Sequence, residues 1–319
     1  MKRILALIPV AATFFSACSG NAFLDGDADL QRLSVILSVT DASKADTPSG
    51  YPDGHGDFVD NWVVEVRDTL LPGVVFYHGV KAGEKGVHQQ TFDLHLVKGH
   101  TYDIAFWADK AGCWDATSLA EIKCTDITKI GNNDEYDGFY TCVRHTVVGN
   151  DELSAQLYRP FAQVNVITTD LPDLKSTSTP EAYLAYKPVG FKFSLTAPTT
   201  FDVFSGKTSG EDELVIVPEA SRDTCYTCYG AAAPKTTLHM VYVLANQYSD
   251  PTKHDIRNID FSFATGEVDH LYEFSNVPLK RNWRTNIIGS FMTNALKWDI
   301  EIIPDWDGEK EYNYPEDSE

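Results

Sequence analysis

An all-β chain built as two tandem β-sandwiches is the fold this sequence predicts, and three observations carry the expectation. Short apolar runs with a two-residue alternation recur from Leu33 to Ile302, each bounded by Gly, Pro, Asn, Asp or Ser. That is the pattern of half-buried strands separated by turns. No long run with a 3.6-residue period interrupts them. Near mid-chain, in Leu157–Val166, Phe161, Gln163 and Asn165 interleave with Ala162, Val164 and Val166 behind Arg159-Pro160. A strand therefore opens at what reads as the seam between two halves. At 319 residues the chain is long enough for a hydrophobic core in each half.

Taken in order, the chain begins with an export signal. Lys2 and Arg3 precede an apolar run from Ile4 to Phe15, shorter than the roughly 20 residues that span a bilayer and suited to a signal peptide, read as residues 1–17. Phe15-Ser16-Ala17-Cys18 resembles a bacterial lipobox: small residues permit the cut, and the Cys18 thiol carries the diacylglyceryl group. The other reading is an ordinary signal peptide cut near Ala17. Lipidated at Cys18, the chain would be anchored firmly to a membrane, each buried methylene adding about 0.8 kcal/mol. Residues 18–32 then form an acidic tether with Asp25, Asp27 and Asp29.

The first sandwich is expected over residues 33–159. Leu33–Val39 reads as a strand, as do Trp62–Arg67 and Val74–Tyr77 on either side of Leu71-Pro72-Gly73. Phe92, Leu94 and Leu96 alternate with Asp93 and His95, Lys98–His100 turns the chain, and Tyr102–Trp107 runs back, a hairpin with one buried and one wet face. His95 and His100 fall on the outer face or in the turn. Asp115–Ile122 suggests a short helix, and Phe139–Val143 another strand. The second sandwich is expected over 160–306, from runs such as Phe191–Leu195, Phe201–Phe204, Leu214–Val217, His239–Leu244, Ile259–Phe263 and Tyr272–Ser275. It ends in an alternating strand, Trp298–Ile302. Residues 307–319 form an acidic, apolar-poor tail.

A net charge of −20 and a pI near 4.7 repel phosphate backbones, so nucleic acid is not an expected partner. Apart from Cys18, the cysteines are 113, 124, 142, 225 and 228, an odd number in a disulfide-permissive compartment. Cys225 and Cys228 have redox-motif spacing without a flanking βαβ pattern and without the second pair a zinc site needs. A small disulfide or two free thiols is the reading, and Cys113 with Cys124 is the next candidate pair. Gly131–Gly138 has the polar composition of a calcium loop, but Arg144 stands where a liganding Glu belongs. Neither G-x-S-x-G nor H-E-x-x-H occurs. No metal, cofactor or catalytic set is expected, and the chain reads as a non-enzyme.

Four separated stretches resemble one family. Ala105-Phe-Trp-Ala108, Tyr136-Asp-Gly-Phe-Tyr140, Arg159-Pro-Phe-Ala-Gln163 with Asn165, and Arg284-Thr-Asn-Ile287 with Gly289 stand in order behind the lipobox. Together they resemble the fimbrillin-type lipoproteins of Bacteroidota. The resemblance implies two transthyretin-like, Greek-key sandwiches and a role in type V pili as shaft, tip or anchor. Other fimbrial subunits, and host or bacterial surface ligands, would be the partners, and the location a surface-exposed outer-membrane lipoprotein or fimbrium. Shaft subunits of that family lose a first strand to cleavage after an arginine, and a neighbour's extended segment fills the groove by strand addition.

Arg32 and Arg67 are the candidate processing points. A cut at Arg32 is expected to release only the tether. One at Arg67 would remove two strands from a segment expected to be folded. An anchor or accessory subunit is therefore favoured over a shaft subunit, with Trp298, Ile300 and Ile302 as the candidate donor or terminal strand. The alternative is a surface glycan-binding lipoprotein, for which Trp62, Trp114 and Trp283 are the candidate platforms.

Overall fold

The computed structural model describes residues 29–39, 56–171, 187–218, 226–229, 234–248, 250, 252–266, 268–293 and 298–303. Cys18, Cys225 and the 307–319 tail lie outside them. The first half carries β1 (Leu30–Val39), β2 (Asn61–Asp68), β3 (Val75–Ala82), β4 (Gln89–Val97), β5 (Thr101–Asp109), β6 (Trp114–Asp115), β7 (Ile122–Cys124), β8 (Gly138–Thr146) and β9 (Asp151–Leu157). The second carries β10 (Phe161–Thr168), β11 (Pro188–Asp202), β12 (Lys207–Ile216), β13 (Tyr226–Tyr229), β14 (Pro234–Leu244), β15 (Asp255–Thr265), β16 (Val268–Leu279), β17 (Arg284–Gly289) and β18 (Trp298–Ile303). Two single 3-10 turns, Ile127–Lys129 and Asp134–Tyr136, complete the described elements. The protein is all-β, with sheets stacked as sandwiches.

In the first half a three-stranded sheet, β4-β1-β9, faces a four-stranded one, β3-β2-β5-β8. Alternation dictates the contact. Leu33, Val35, Leu37 and Val39 point inward from β1, as Phe92, Leu94 and Leu96 do from β4. They meet Trp62, Val64, Val66, Tyr102, Ile104 and Phe106 from the facing sheet. In the second half β13-β14-β10-β17-β18 faces β16-β15-β11-β7-β6, with β12 also pairing β11. Its core joins Ala162, Val164 and Val166 to Phe191, Phe193, Phe261, Phe263 and Phe274.

The two halves repeat one strand order. β1 pairs antiparallel with β4 and parallel with β9, just as β10 pairs antiparallel with β14 and parallel with β17. The facing sheets correspond likewise, β3-β2-β5-β8 to β12-β11-β15-β16. The second half adds β18 beside β17, a position with no described counterpart beside β9.

Several expectations are corrected. Asp115–Ile122 is no helix: Asp115 Oδ1 accepts the backbone and side-chain donors of Thr117, fixing a turn. The segment returns as the β6–β7 hairpin, whose Leu119 and Ile122 are buried. β7 pairs with β11 at Ile122–Phe201, so residues 114–124 of the first half extend a sheet of the second. The alternation of Phe161–Val166 is that of a half-buried strand, yet all eight residues of β10 are buried: Ala162, Val164 and Val166 join the core, Phe161 on the other face packs against Trp107 and Trp114, and Gln163 and Asn165 join a hydrogen-bonded ladder. The first strand starts at Leu30, so Arg32 belongs to it and not to the tether.

Asp109, at the end of β5, makes stability pH-dependent. It is fully buried, and its Oδ1 accepts from Asn61 Nδ2 at 2.7 Å. Burial pushes its carboxyl up to about 7, against the opposing bond from Asn61. The folded state therefore holds a proton that the unfolded chain releases near pH 4, and stability falls as pH rises from there to about 7. Asp109→Asn is expected to raise stability at pH 8 by up to roughly 4 kcal/mol, at about 1.36 kcal/mol per pKa unit, with no gain at pH 4. Urea unfolding of both chains at the two pH values checks this; equal gains at both would refute it.

Candidate functional site

The residues carrying the family resemblance, far apart in sequence, meet at the seam between the halves. Trp107 and Tyr140 stand opposite each other on β5 and β8. Trp107 packs edge-on against Trp114 and Phe161, with centroids 6.0 and 6.4 Å away. Trp114 stacks on Phe161 at 4.8 Å and donates from Nε1 to the Tyr136 carbonyl at 3.0 Å. Gly138 is a packing requirement: a Cβ there would lie 2.9 Å from the Trp107 ring.

Under this aromatic cluster lies a buried ion pair. Arg159 Nε donates to Asp137 Oδ1 and Oδ2 at 2.9 and 3.0 Å, and Nη2 donates to Oδ2 at 2.9 Å. The side chains are 0% and 3% exposed. The guanidinium also lies 4.5 Å from the centroid of Phe139. Asp137 precedes β8 and Arg159 sits between β9 and β10, so the pair ties the entry to β8 in the first sandwich to the link that opens the second. β10 continues the tie. Asn165 Nδ2 donates to Gln163 Oε1 and Asn286 Oδ1, and Asn286 Nδ2 donates to Glu301 Oε2 at 3.2 Å, a buried amide ladder ending on β18.

Three further contacts cross the seam. The Gly131–Gly138 loop caps the edge of β14: Asn132 N donates to the Met240 carbonyl at 2.8 Å and its Oδ1 accepts from Met240 N at 2.8 Å. Asn132 adopts φ 51° to do so, a conformation asparagine tolerates. Glu65, 1% exposed, accepts from Arg67 and from Leu119 N, while the Arg67 guanidinium lies 3.9 Å from the Phe204 centroid. Arg281, on the β16–β17 turn, donates to Tyr140 Oη at 3.0 Å and to the carbonyls of Gly206 and Ala245.

The predicted site residues fall as follows. Arg32 lies within β1, ion-paired to Asp93 at 2.8 Å and mostly exposed. Arg67 lies in β2 between β3 and β5, opposite Asp103 and Val75. Cys113, Cys124 and Cys142 are free thiols; β6–β7 pairing sets Cys124 opposite Trp114, one residue from Cys113. Burial pushes the Cys113 and Cys124 thiols up to about 12. Cys228 sits in β13 opposite Lys235. Trp298, Ile300 and Ile302 lie on β18, antiparallel to β17, with Trp298 edge-on to Phe274 at 5.3 Å.

The candidate glycan platforms are corrected: Trp62, Trp114 and Trp283 are 0%, 5% and 8% exposed, packed as structural side chains. Among the described residues no three metal-capable side chains cluster. His239, wholly buried among Phe191, Phe193 and Phe261, is held neutral by desolvation, its pKa down to about 3. Sequence reasoning missed the pairing of Arg159 with Asp137 and the role of Arg281. The available signal was a charged residue framed by apolar neighbours, as in Tyr136-Asp137-Gly138-Phe139.

The arrangement is that of a β-sandwich protein whose two halves are locked by buried charge and aromatic packing. The chain belongs to the family of unknown function DUF6562, whose model matches residues 74–317. No functionally curated protein matches it. Among solved structures, the fimbrial anchor protein Mfa2 from Porphyromonas gingivalis aligns at 12% identity over 81% of this chain and 90% of its own, with a TM-score of 0.43. The tip fimbrial protein Mfa3 from the same organism, with a C-terminal truncation, aligns at 11% identity over 85% and 98%, with a TM-score of 0.45. A fimbrial assembly protein from Parabacteroides distasonis aligns at 11% identity over 85% and 95%, also with a TM-score of 0.45.

Proposed function

We propose that this protein is a structural and adhesive subunit of a type V-like fimbria, an anchor or accessory subunit held in the outer membrane through a lipid on Cys18. The observation that carries the reading is the place of β1. It is the middle strand of β4-β1-β9 and buries Leu33, Val35, Leu37 and Val39. A shaft subunit that polymerises by groove filling must shed such a strand, and neither candidate arginine suits that step. A cut at Arg32 removes only Leu30 to Arg32 and leaves the apolar part of β1 in place. Arg67 is bonded on both sides within a four-stranded sheet and clamped to Glu65. Proteases act on exposed loop tips and not on paired central strands.

Neighbouring subunits would join by strand addition at a free sheet edge. Among the described strands, β18 has β17 on one side and none on the other, so it presents such an edge. Immunogold labelling of intact cells tests the reading. Label is expected at the fimbrial base, with the protein retained in the outer membrane when fimbriae are sheared off. Label repeating along the shaft would overturn it.

A further inference from the structure

An open cleft of about 330 Å³ lies beside the seam, walled by residues 246–248, 250 and 253, by the β16–β17 turn, and by Tyr140 of β8 and Tyr158 after β9. That volume is at the small end of ligand pockets, about 300–1,000 Å³. Its character is set by Arg281, which is 7% exposed. The guanidinium donates to the carbonyls of Ala245 and Gly206, to Gln247 Oε1 and to Tyr140 Oη. All of these acceptors are neutral. The contrast with other arginines of this chain is direct: Arg159 has Asp137, and Arg257 has Asp255 and Glu211. Among the described residues only dipoles solvate the Arg281 charge, so no described carboxylate cancels its field at the cleft wall.

Two more cations line the same cleft. Lys253 is exposed, and Lys280 Nζ lies 3.8 Å from the Trp283 centroid. Asp250 is the one carboxylate among the described lining residues; hydrogen bonds from Thr252 N and Oγ1 and the nearby Lys253 charge hold it ionised, leaving the described cations in excess. On a chain of net charge −20, this is a positive cleft in an acidic surface. Its remaining lining is of another kind. Tyr248 and Tyr158 are 41% and 47% exposed, offering ring faces to the C–H face of a sugar. Gln247, whose Oε1 accepts from Arg281, presents its amide N–H group for a hydroxyl, whereas the Asn246 amide is committed to Asp255 and Thr208.

We propose that this cleft binds an acidic carbohydrate, a uronate- or sulfate-bearing oligosaccharide, with the acid group drawn to Lys253 and Arg281 and a sugar ring laid on Tyr248. The exposed tyrosine rings and the Gln247 amide beside the cations favour a sugar over an acidic peptide. The site stands whether or not the chain is a fimbrial subunit.

Calorimetric titration of the full mature chain tests it, with heparin and hyaluronan hexasaccharides as sulfated and uronate probes, and maltohexaose and a poly-glutamate peptide as comparators. At least one acidic hexasaccharide is expected to bind, more weakly as salt rises. Lys253→Glu and Tyr248→Ala, both on exposed side chains, are expected to weaken binding roughly tenfold each, about 1.4 kcal/mol. Circular dichroism would confirm that both variants stay folded. Whichever acidic sugar binds assigns the acid group. The proposal is overturned if neither acidic sugar binds, if maltohexaose or poly-glutamate binds as well, or if both variants bind like the parent.

Discussion

A chain lacking residues 30–39 will fail to fold its first sandwich, and a synthetic peptide of the β1 sequence, Leu30–Val39, will restore it. β1 pairs with β4 over Leu30–Ser38 and with β9 over Leu33–Val39, so its loss strips two strands of a partner at once. Four fully buried aliphatic side chains leave with it. At about 1.5–3 kcal/mol for each buried side chain, the loss is roughly 6–12 kcal/mol, comparable with the about 5–15 kcal/mol that holds a whole domain together. Far-UV circular dichroism and urea unfolding with and without the peptide check the result. A truncated chain that unfolds as cooperatively as the parent would show that β1 is dispensable.

Asp137→Ala will lose about 3–5 kcal/mol, because it leaves Arg159 buried without its anion. The Arg159 side chain is 0% exposed and cannot reach water to recover its solvation. Arg159→Met in the same chain removes the stranded charge, and the double variant is expected to recover a large part of the loss, since replacing both members of a buried pair by apolar groups is often near neutral. The non-additivity is the diagnostic, read from urea midpoints of the parent, the two single variants and the double variant. If Asp137→Ala alone changes stability by less than about 1 kcal/mol, the value of a surface ion pair, the pair is not the lock described above.

How far the sequence announced this structure depends on whether local pattern or long-range contact decided each element. β1 and β4 were legible because one face of each meets a core and the other meets solvent or polar neighbours, and alternation records that difference, whereas β5, expected to have a wet face, also buries Ala105, Trp107 and Asp109 on its second face, at the seam. β10 was legible as a strand but not as a doubly buried one: Gln163 and Asn165 read as surface residues, and only the ladder to Asn286 and Glu301 makes their burial tolerable. The Asp115–Ile122 stretch misled because its Leu119 and Ile122 are held by partners from the other half, at Val203 and Phe201, that no local period reports. The same holds for the seam. Asp137, Arg159 and Arg281 owe their burial to elements tens of residues away, so the contexts of Asp137 and Arg159 carried the resemblance but not the reason for it, and that of Arg281 carried no signal.

An anchor or accessory subunit must keep β1 in its mature form, and the mass of the N-terminal peptide of the cell-surface form tests that most directly. Retention predicts a peptide beginning at lipid-bearing Cys18 and running through Leu30–Val39 uncut. A mature N-terminus at Asp68, with β1 and β2 gone, would contradict it and return the chain to the processed, polymerising class.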